Sequence, residues 1–310
     1  MFHPLTVLVT GATGQQGGAL ARLLLKRGHH VLAFTRNPSA PAALELKQRG
    51  AELVIGDFDD VDSLVQAMRG AQAVYAMATP SEWGPGTEVR HGRNLIDAAK
   101  LAHVRHFLYS SVASANQDTG IPHFDSKFEV ERYLQRSDLD WTIIAPVFFM
   151  ENFTSPLFAH GLHAGLLSMG LPHHRGLQMV PVADIAAFAT RVLELPEEFL
   201  GQRIDIASDE VTGEQAAALI SYVSEHKLRY EEIPLEQLRT RSEEMARMYE
   251  WFDRVGYQAN IAGLRRDYPE VGWHTFEDWA RAQDWSALLG TTWRGTHAPS
   301  EETSYPPANQ

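Results

Sequence analysis

The chain has 310 residues, 44% of them apolar, enough for one large α/β domain with an appendage or for two domains. Its 39 acidic against 27 basic residues give a formal net charge of -12, and no basic block stands out, so direct nucleic-acid binding is not expected. Cysteine is absent, which excludes disulfides, thiolate metal sites and a cysteine nucleophile. Residues 5–10 form a β-rich apolar run that ends at a glycine. From about 17 to 26, Ala19, Leu20, Leu23 and Leu24 recur at helical spacing; Gly28 punctuates, and 30–35 read as a second strand. Further strands are predicted over 52–55, 73–78, 104–110 and 141–145, with helices over 41–49, 61–68, 89–102 and 124–135 between them.

Strands alternating with helices imply βαβ units and a parallel sheet with helices on both faces. The continuous runs Val7-Leu8-Val9 and Thr142-Ile143-Ile144 suit strands buried on both faces. After Pro146 the rhythm breaks, and residues 147–180, rich in Phe, His, Gly and Leu, show no clean period. A helix is predicted over 183–195, a strand over 203–207, and helices over 214–225 and 236–255. Met245, Met248, Trp251 and Phe252 fall near one face of the last, and Trp273, Trp279 and Trp285 anchor the end. The expected fold is therefore α/β. A doubly wound parallel sheet occupies residues 1–150. A smaller C-terminal α/β region occupies 151–290 and is interleaved with the sheet through the strand near 203–207. Residues 291–310, rich in Thr, Ser, Pro and Glu, read as a disordered tail.

Gly11-Ala12-Thr13-Gly14-Gln15-Gln16-Gly17 follows the first strand and opens the first helix. In a Rossmann turn one glycine makes the tight bend, one lets the backbone approach a pyrophosphate and one lets helix and strand pack closely. The exposed N–H groups and the helix dipole then attract phosphate. This turn binds a nicotinamide dinucleotide in our reading; an ordinary strand-to-helix turn is the bland alternative. At the end of the second strand, Thr35-Arg36-Asn37 carries no acid. An acid there would accept the ribose hydroxyls, whereas Arg36 can pair with a 2′-phosphate and stack on adenine. A charge-assisted hydrogen bond of roughly 1.5–3 kcal/mol gives about a ten- to hundred-fold preference for NADP(H). A solvated arginine is the alternative, and Lys47 is a second candidate.

The order Thr35-Arg36-Asn37-Pro38, Gly56-Asp57, Gly92-Arg93-Asn94-Leu95-Ile96-Asp97-Ala98-Ala99, His106-Phe107-Leu108-Tyr109-Ser110-Ser111, His123-Phe124-Asp125-Ser126-Lys127 and Phe149-Met150-Glu151-Asn152-Phe153 resembles the NmrA-like family of atypical short-chain dehydrogenase/reductases. The resemblance spans roughly 5–290 and implies NADP(H) binding on a Rossmann fold. It implies either a redox sensor that binds a regulatory protein or an NADPH-dependent reductase of a quinone, dye or other conjugated carbonyl acceptor. It also implies that Asp57, beside Phe58, caps the adenine; the bland alternative is that the Asp59–Asp60 region caps the next helix, and the two are compatible, with Asp57 on adenine and Asp60 as cap. Ala78, Thr79 and Pro80 would floor the cleft, and Pro146 and Phe149 would pass the nicotinamide. Asn152 and Phe153 are candidates to face substrate or cofactor, with core packing and a loop hydrogen bond as the alternatives.

The wider superfamily uses Ser, Tyr and Lys, with Tyr-x-x-x-Lys on one helix face. Here His123 stands four residues before Lys127, with Ser111 twelve residues before His123. Two readings stay open. Either the acid is lost and Lys127 merely holds the ribose, or His123 donates the proton, imidazole titrating near neutral pH. The first is preferred, and the expected role is a redox or cofactor sensor with weak or no turnover. Tyr109 reads as a core residue. His160-Gly161-Leu162-His163 and His173-His174 lack a placed carboxylate, so no metal site is expected. No charged segment precedes a long apolar stretch at the N-terminus and no run reaches membrane-spanning length, so a cytoplasmic protein without membrane contact is expected. A homodimer is left open as its assembly.

Overall fold

The apolar runs of the first half pair side by side in the computed structural model, which describes residues 3–78 and 84–289. In chain order they are β1 (Thr6–Val9), α1 (Gln15–Lys26), β2 (His30–Thr35), α2 (Pro41–Gln48), β3 (Glu52–Ile55), α3 (Val61–Met68), β4 (Ala73–Ala76), α4 (Pro85–Leu101), β5 (His106–Ser110), α5 (Pro122–Gln135) and β6 (Trp141–Pro146). The chain continues through β7 (Phe148–Phe149), α6 (Pro156–His163), β8 (Leu166–Met169), β9 (Gly176–Val180), α7 (Val182–Glu194), β10 (Arg203–Ile206), β11 (Asp209–Thr212), α8 (Gly213–Ser224) and β12 (Arg229–Glu232). It closes with α9 (Leu235–Arg239), α10 (Glu243–Arg254), α11 (Ile261–Asp267), α12 (Phe276–Arg281) and α13 (Trp285–Leu289).

Seven strands form one sheet in the order β10-β6-β5-β4-β1-β2-β3. Every neighbouring pair is parallel. This is the expected doubly wound sheet. Its order reverses between β1 and β4, so the crevice for a ligand opens at the carboxyl ends of those strands. Two apolar layers bury the sheet. On one face Leu20, Ala21 and Leu24 of α1 join Ile185, Phe188 and Val192 of α7. On the other, Leu64, Leu95, Ile96, Val130 and Leu134 of α3, α4 and α5 cover Val74, Phe107 and Tyr109.

The second half holds a three-stranded sheet, β11-β9-β7, and a two-stranded one, β12-β8, around a third core. It also returns to the first unit: β10 pairs with β6 (Ile204 with Ile144), and Leu264 and Trp273 pack into the layer of α1 and α7. Trp279 and Trp285 belong instead to the third core. Two helix expectations change. The fourth helix starts at Pro85, whose fixed φ suits a first helical turn, rather than at 89. The stretch 236–255 is two helices, because Ser242 leaves helical geometry and caps α10 by accepting the Met245 N–H at 3.2 Å. The predicted tail, 291–310, lies outside the described residues.

Candidate functional site

The glycine turn is built so that little but glycine fits. Gly11 has a φ of 59°, and a Cβ there would meet Met77 Sδ at 2.7 Å. A Cβ on Gly17 would lie 2.4 Å from the Gly11 carbonyl oxygen and 2.6 Å from that of Thr10. The Gly14 N–H donates to Gly11 O at 2.9 Å, closing the bend. α1 then begins with no side-chain cap and no acid in its first turn, an arrangement with which a helix N-terminus can receive an anion. Thr13, Gly14 and Gln15 are exposed there. The Gln16 side chain has a structural part. Its oxygen accepts from Tyr75 Oη at 3.1 Å and Ser110 Oγ at 2.9 Å, tying α1 to β4 and β5.

A cleft of about 640 Å³ runs from this turn to the ends of β2 and β3. Gly11, Thr13, Arg36, Asp57, Phe58 and His91 are among its lining residues. Arg36 is exposed and makes no ion pair among the described residues, while Lys47 lies on α2 away from the lining. Phe34 and Phe58 stack with ring centroids 5.4 Å apart and planes 2° from parallel, and His91 meets Phe58 edge-on at 5.3 Å. Gly56 allows this: a Cβ there would strike the Phe34 ring at 2.6 Å. The loop is held by Asn94, which donates to Phe58 O at 2.8 Å, and by Asp57, which accepts the Asp59 N–H at 2.9 Å. Asp60 caps α3, accepting from Ser63 N at 3.1 Å. Asp59 takes a different part: Arg90 Nε donates to it at 2.7 Å across the mouth and His91 Nε2 lies 3.3 Å from it, and foremost the Arg90 hydrogen bond holds its carboxyl below the usual carboxylate range.

The other end of the crevice gathers around Lys127, on α5. Its Nζ donates to Ala78 O at 2.9 Å and to Glu88 Oε1 at 2.6 Å. Glu88, on α4, is fully buried, and its Oε2 accepts from Ser126 Oγ at 2.5 Å. Glu88 lies one residue ahead of the helix expected from 89 and carries no local sign of its partner. Thr79 and Pro80 lie outside the described residues. Pro146 is buried at the end of β6, Phe149 is half-buried against the layer of α1 and α7, and Asn152 is half-buried in the 3₁₀ turn Met150–Thr154. Phe153 is corrected: it is fully buried, and its ring meets those of Phe148, Phe158, Phe276 and Trp279 in the third core, so it cannot wall the cleft.

Ser111 is corrected as well. It is buried and donates to Glu131 on α5, which also takes Arg203 Nε at 2.8 Å. The pleat explains this: Ser110 points toward α1 and Ser111 to the opposite face. Burial pushes the Glu131 carboxyl up, with Arg203 opposing. Tyr109 is buried, its hydroxyl has no partner among the described residues, and burial followed by the fields of Glu88 and Glu131 drives its pKa well above the usual value. His123 sits in the first turn of α5 with its side chain 26% exposed and Nδ1 2.5 Å from Glu244 Oε1 on α10. Ser111, His123 and Lys127 thus each answer to a different carboxylate. His173 pairs with Glu214 at 2.6 Å, and no group of three or more metal-ligating side chains gathers among the described residues.

A seven-stranded doubly wound parallel sheet with a glycine turn at its switch point defines a Rossmann-fold, dinucleotide-binding class of protein. The NmrA-like family model matches residues 4–288, and the chain belongs to that family. An NmrA-like family domain-containing oxidoreductase of Aspergillus hancockii is 30% identical over 258 residues, covering 76% of each chain. An NAD(P)H azoreductase of Xenophilus azovorans is 30% identical over 234 residues, 75% of this chain and 79% of its own. Among solved structures, NmrA, a negative transcriptional regulator crystallised with NAD, superposes with a TM-score of 0.79 at 22% identity, covering 94% of this chain and 99% of its own. No helix among the described residues is long and apolar enough to cross a membrane.

Proposed function

We propose that this protein binds NADP(H) along the crevice and serves as a cofactor sensor with little or no turnover. The observation that carries the binding is Arg36, exposed at the carboxyl end of β2 on a cleft wall and free of any acidic partner among the described residues. The turn's N–H groups would hold the pyrophosphate, Arg36 the 2′-phosphate, the Phe34–Phe58 side the adenine, and Lys127 the nicotinamide ribose. NmrA bears on the same reading, having been crystallised with NADP as well as NAD. When bound, a nicotinamide supplies a hydride to an acceptor. The chain's own residues do little to help that step: Ser111 is spent on Glu131, and Tyr109 is buried and held protonated. Residues 1–150 would then hold the cofactor, and 151–290 would carry its occupancy, in the cytoplasm, to a regulatory protein partner.

A reductase is the second reading, favoured by one observation. His123 is partly exposed four residues before Lys127, and Glu244 orients its ring through Nδ1. Such an imidazole can hand a proton to a quinone, dye or conjugated carbonyl. The azoreductase relative bears on the same reading. NADPH oxidation against quinones, azo dyes and aldehydes separates the two. The sensor reading expects tight NADPH binding and no sustained turnover. Steady turnover that vanishes in Lys127→Ala while NADPH still binds would replace it with the reductase.

A further inference from the structure

Glu88 occupies the first turn of α4 and is fully buried, while the Lys127 side chain is 13% exposed. Both carboxylate oxygens are engaged, Oε1 by Lys127 Nζ at 2.6 Å and Oε2 by Ser126 Oγ at 2.5 Å. Ser126 immediately precedes Lys127 on α5, so two adjacent residues of one helix grip the two oxygens and fix the carboxylate plane. The ammonium has three donors. One goes to Glu88 and one to Ala78 O at the mouth of β4, and the third has no partner among the described residues. Neither charge could stay buried without the other. A buried ion pair of this kind adds little net stability over apolar residues of similar volume in most proteins, so folding alone is a weak reason for it.

We propose that Glu88 is the positioning residue for Lys127. It holds the ammonium beside the carboxyl end of β4 and turns it so that its remaining proton serves an acceptor hydroxyl of the nicotinamide ribose. Ser126 sets the carboxylate, the carboxylate sets the ammonium, and Ala78 O fixes the second direction. The inference rests on the NADP(H) reading above and adds to it the group that holds Lys127 in place.

The test measures dissociation constants for NADPH and for 2′,5′-ADP, which carries the 2′-phosphate but no nicotinamide ribose. The proteins are the wild type, Glu88→Gln, Lys127→Met and the double variant. Glu88→Gln is expected to weaken NADPH about tenfold, the worth of a hydrogen bond to a charged group. Binding of 2′,5′-ADP should stay within about twofold, as for an independent site. In the Lys127→Met background Glu88→Gln should add nothing, because it acts through the lysine. If Glu88→Gln alone does not fold, comparing Lys127→Met with the double variant carries the test, since removing both charges is tolerated. Equal NADPH affinity for those two supports the role, and a further loss in the double variant overturns it. Equal weakening of both ligands by Glu88→Gln, or no weakening of NADPH, also overturns it. A wild type that binds neither ligand overturns the NADP(H) reading and this role with it.

Discussion

His123 Nδ1 lies 2.5 Å from Glu244 Oε1, joining the first turn of α5, beside the crevice, to the first turn of α10. The neighbouring Phe124 ring meets Trp251 edge-on at 5.9 Å, so α5 and α10 touch through both a polar and an aromatic contact. With side chains 26% and 45% exposed, the ion pair itself should contribute only about 0.2–1 kcal/mol. Its use in a sensor is coupling rather than stability. We expect NADPH to slow amide exchange in α10 of the wild type, and Glu244→Gln to remove that protection while NADPH still binds. Equal protection in both proteins would show that this pair does not carry the signal.

His106 supplies a pH dependence. Thr142 Oγ1 donates to Phe199 O at 3.0 Å, so it accepts from His106 Nε2 at 3.0 Å, and the imidazole is the neutral Nε2–H form with Nδ1 buried and without a partner among the described residues. Burial lowers its pKa from 6.5 to about 4. The unfolded chain therefore takes up a proton that the fold refuses. The stability is fully present above about pH 6.5 and falls as pH drops toward 4, by about 3 kcal/mol in all. In His106→Phe, denaturant melts across that window should lose this part of the slope. An unchanged slope would assign the acid sensitivity to other groups.

Gly17→Ala should damage binding and fold together. The new Cβ has backbone carbonyls on two sides, at 2.4 and 2.6 Å, and backbone cannot swing away as a flexible side chain would. We expect a loss of about 1–3 kcal/mol in stability, as for overpacking. NADPH affinity should fall because the helix no longer abuts the turn. Thermal melts with ligand titration check both, and a variant that binds as the wild type does would show that the turn is not the phosphate site.

The first half of the fold was legible because its signals are local. β2 is a continuous apolar run between Gly28 and the turn at Asn37, and its bounds were read without error. Asp60, ahead of Val61, is a cap with the right side chain at the right place. The second half is harder for physical reasons. β12, Arg229–Glu232, is mostly charged and exposed, and it pairs with β8, whose residues are 63 positions earlier. Nothing in its own composition signals a strand, and the partner supplies the reason for it. The site divides the same way. Arg36 follows from its position after β2, whereas Glu88 meets Lys127 from 39 residues away on another helix. Ser111 had the right spacing and faces α5, but Glu131, one turn beyond Lys127 on that helix, takes its hydroxyl, and no feature of the local sequence announces that pairing.

Arg36 carries the central claim, and the most direct test compares NADPH with NADH by calorimetric titration of the wild type and Arg36→Ala. We predict that the wild type prefers NADPH by about ten- to a hundred-fold, the worth of a charge-assisted contact to the 2′-phosphate, and that Arg36→Ala removes this preference while NADH affinity changes little. A wild type that binds neither dinucleotide, or an Arg36→Ala variant that loses both to the same degree, would contradict the account.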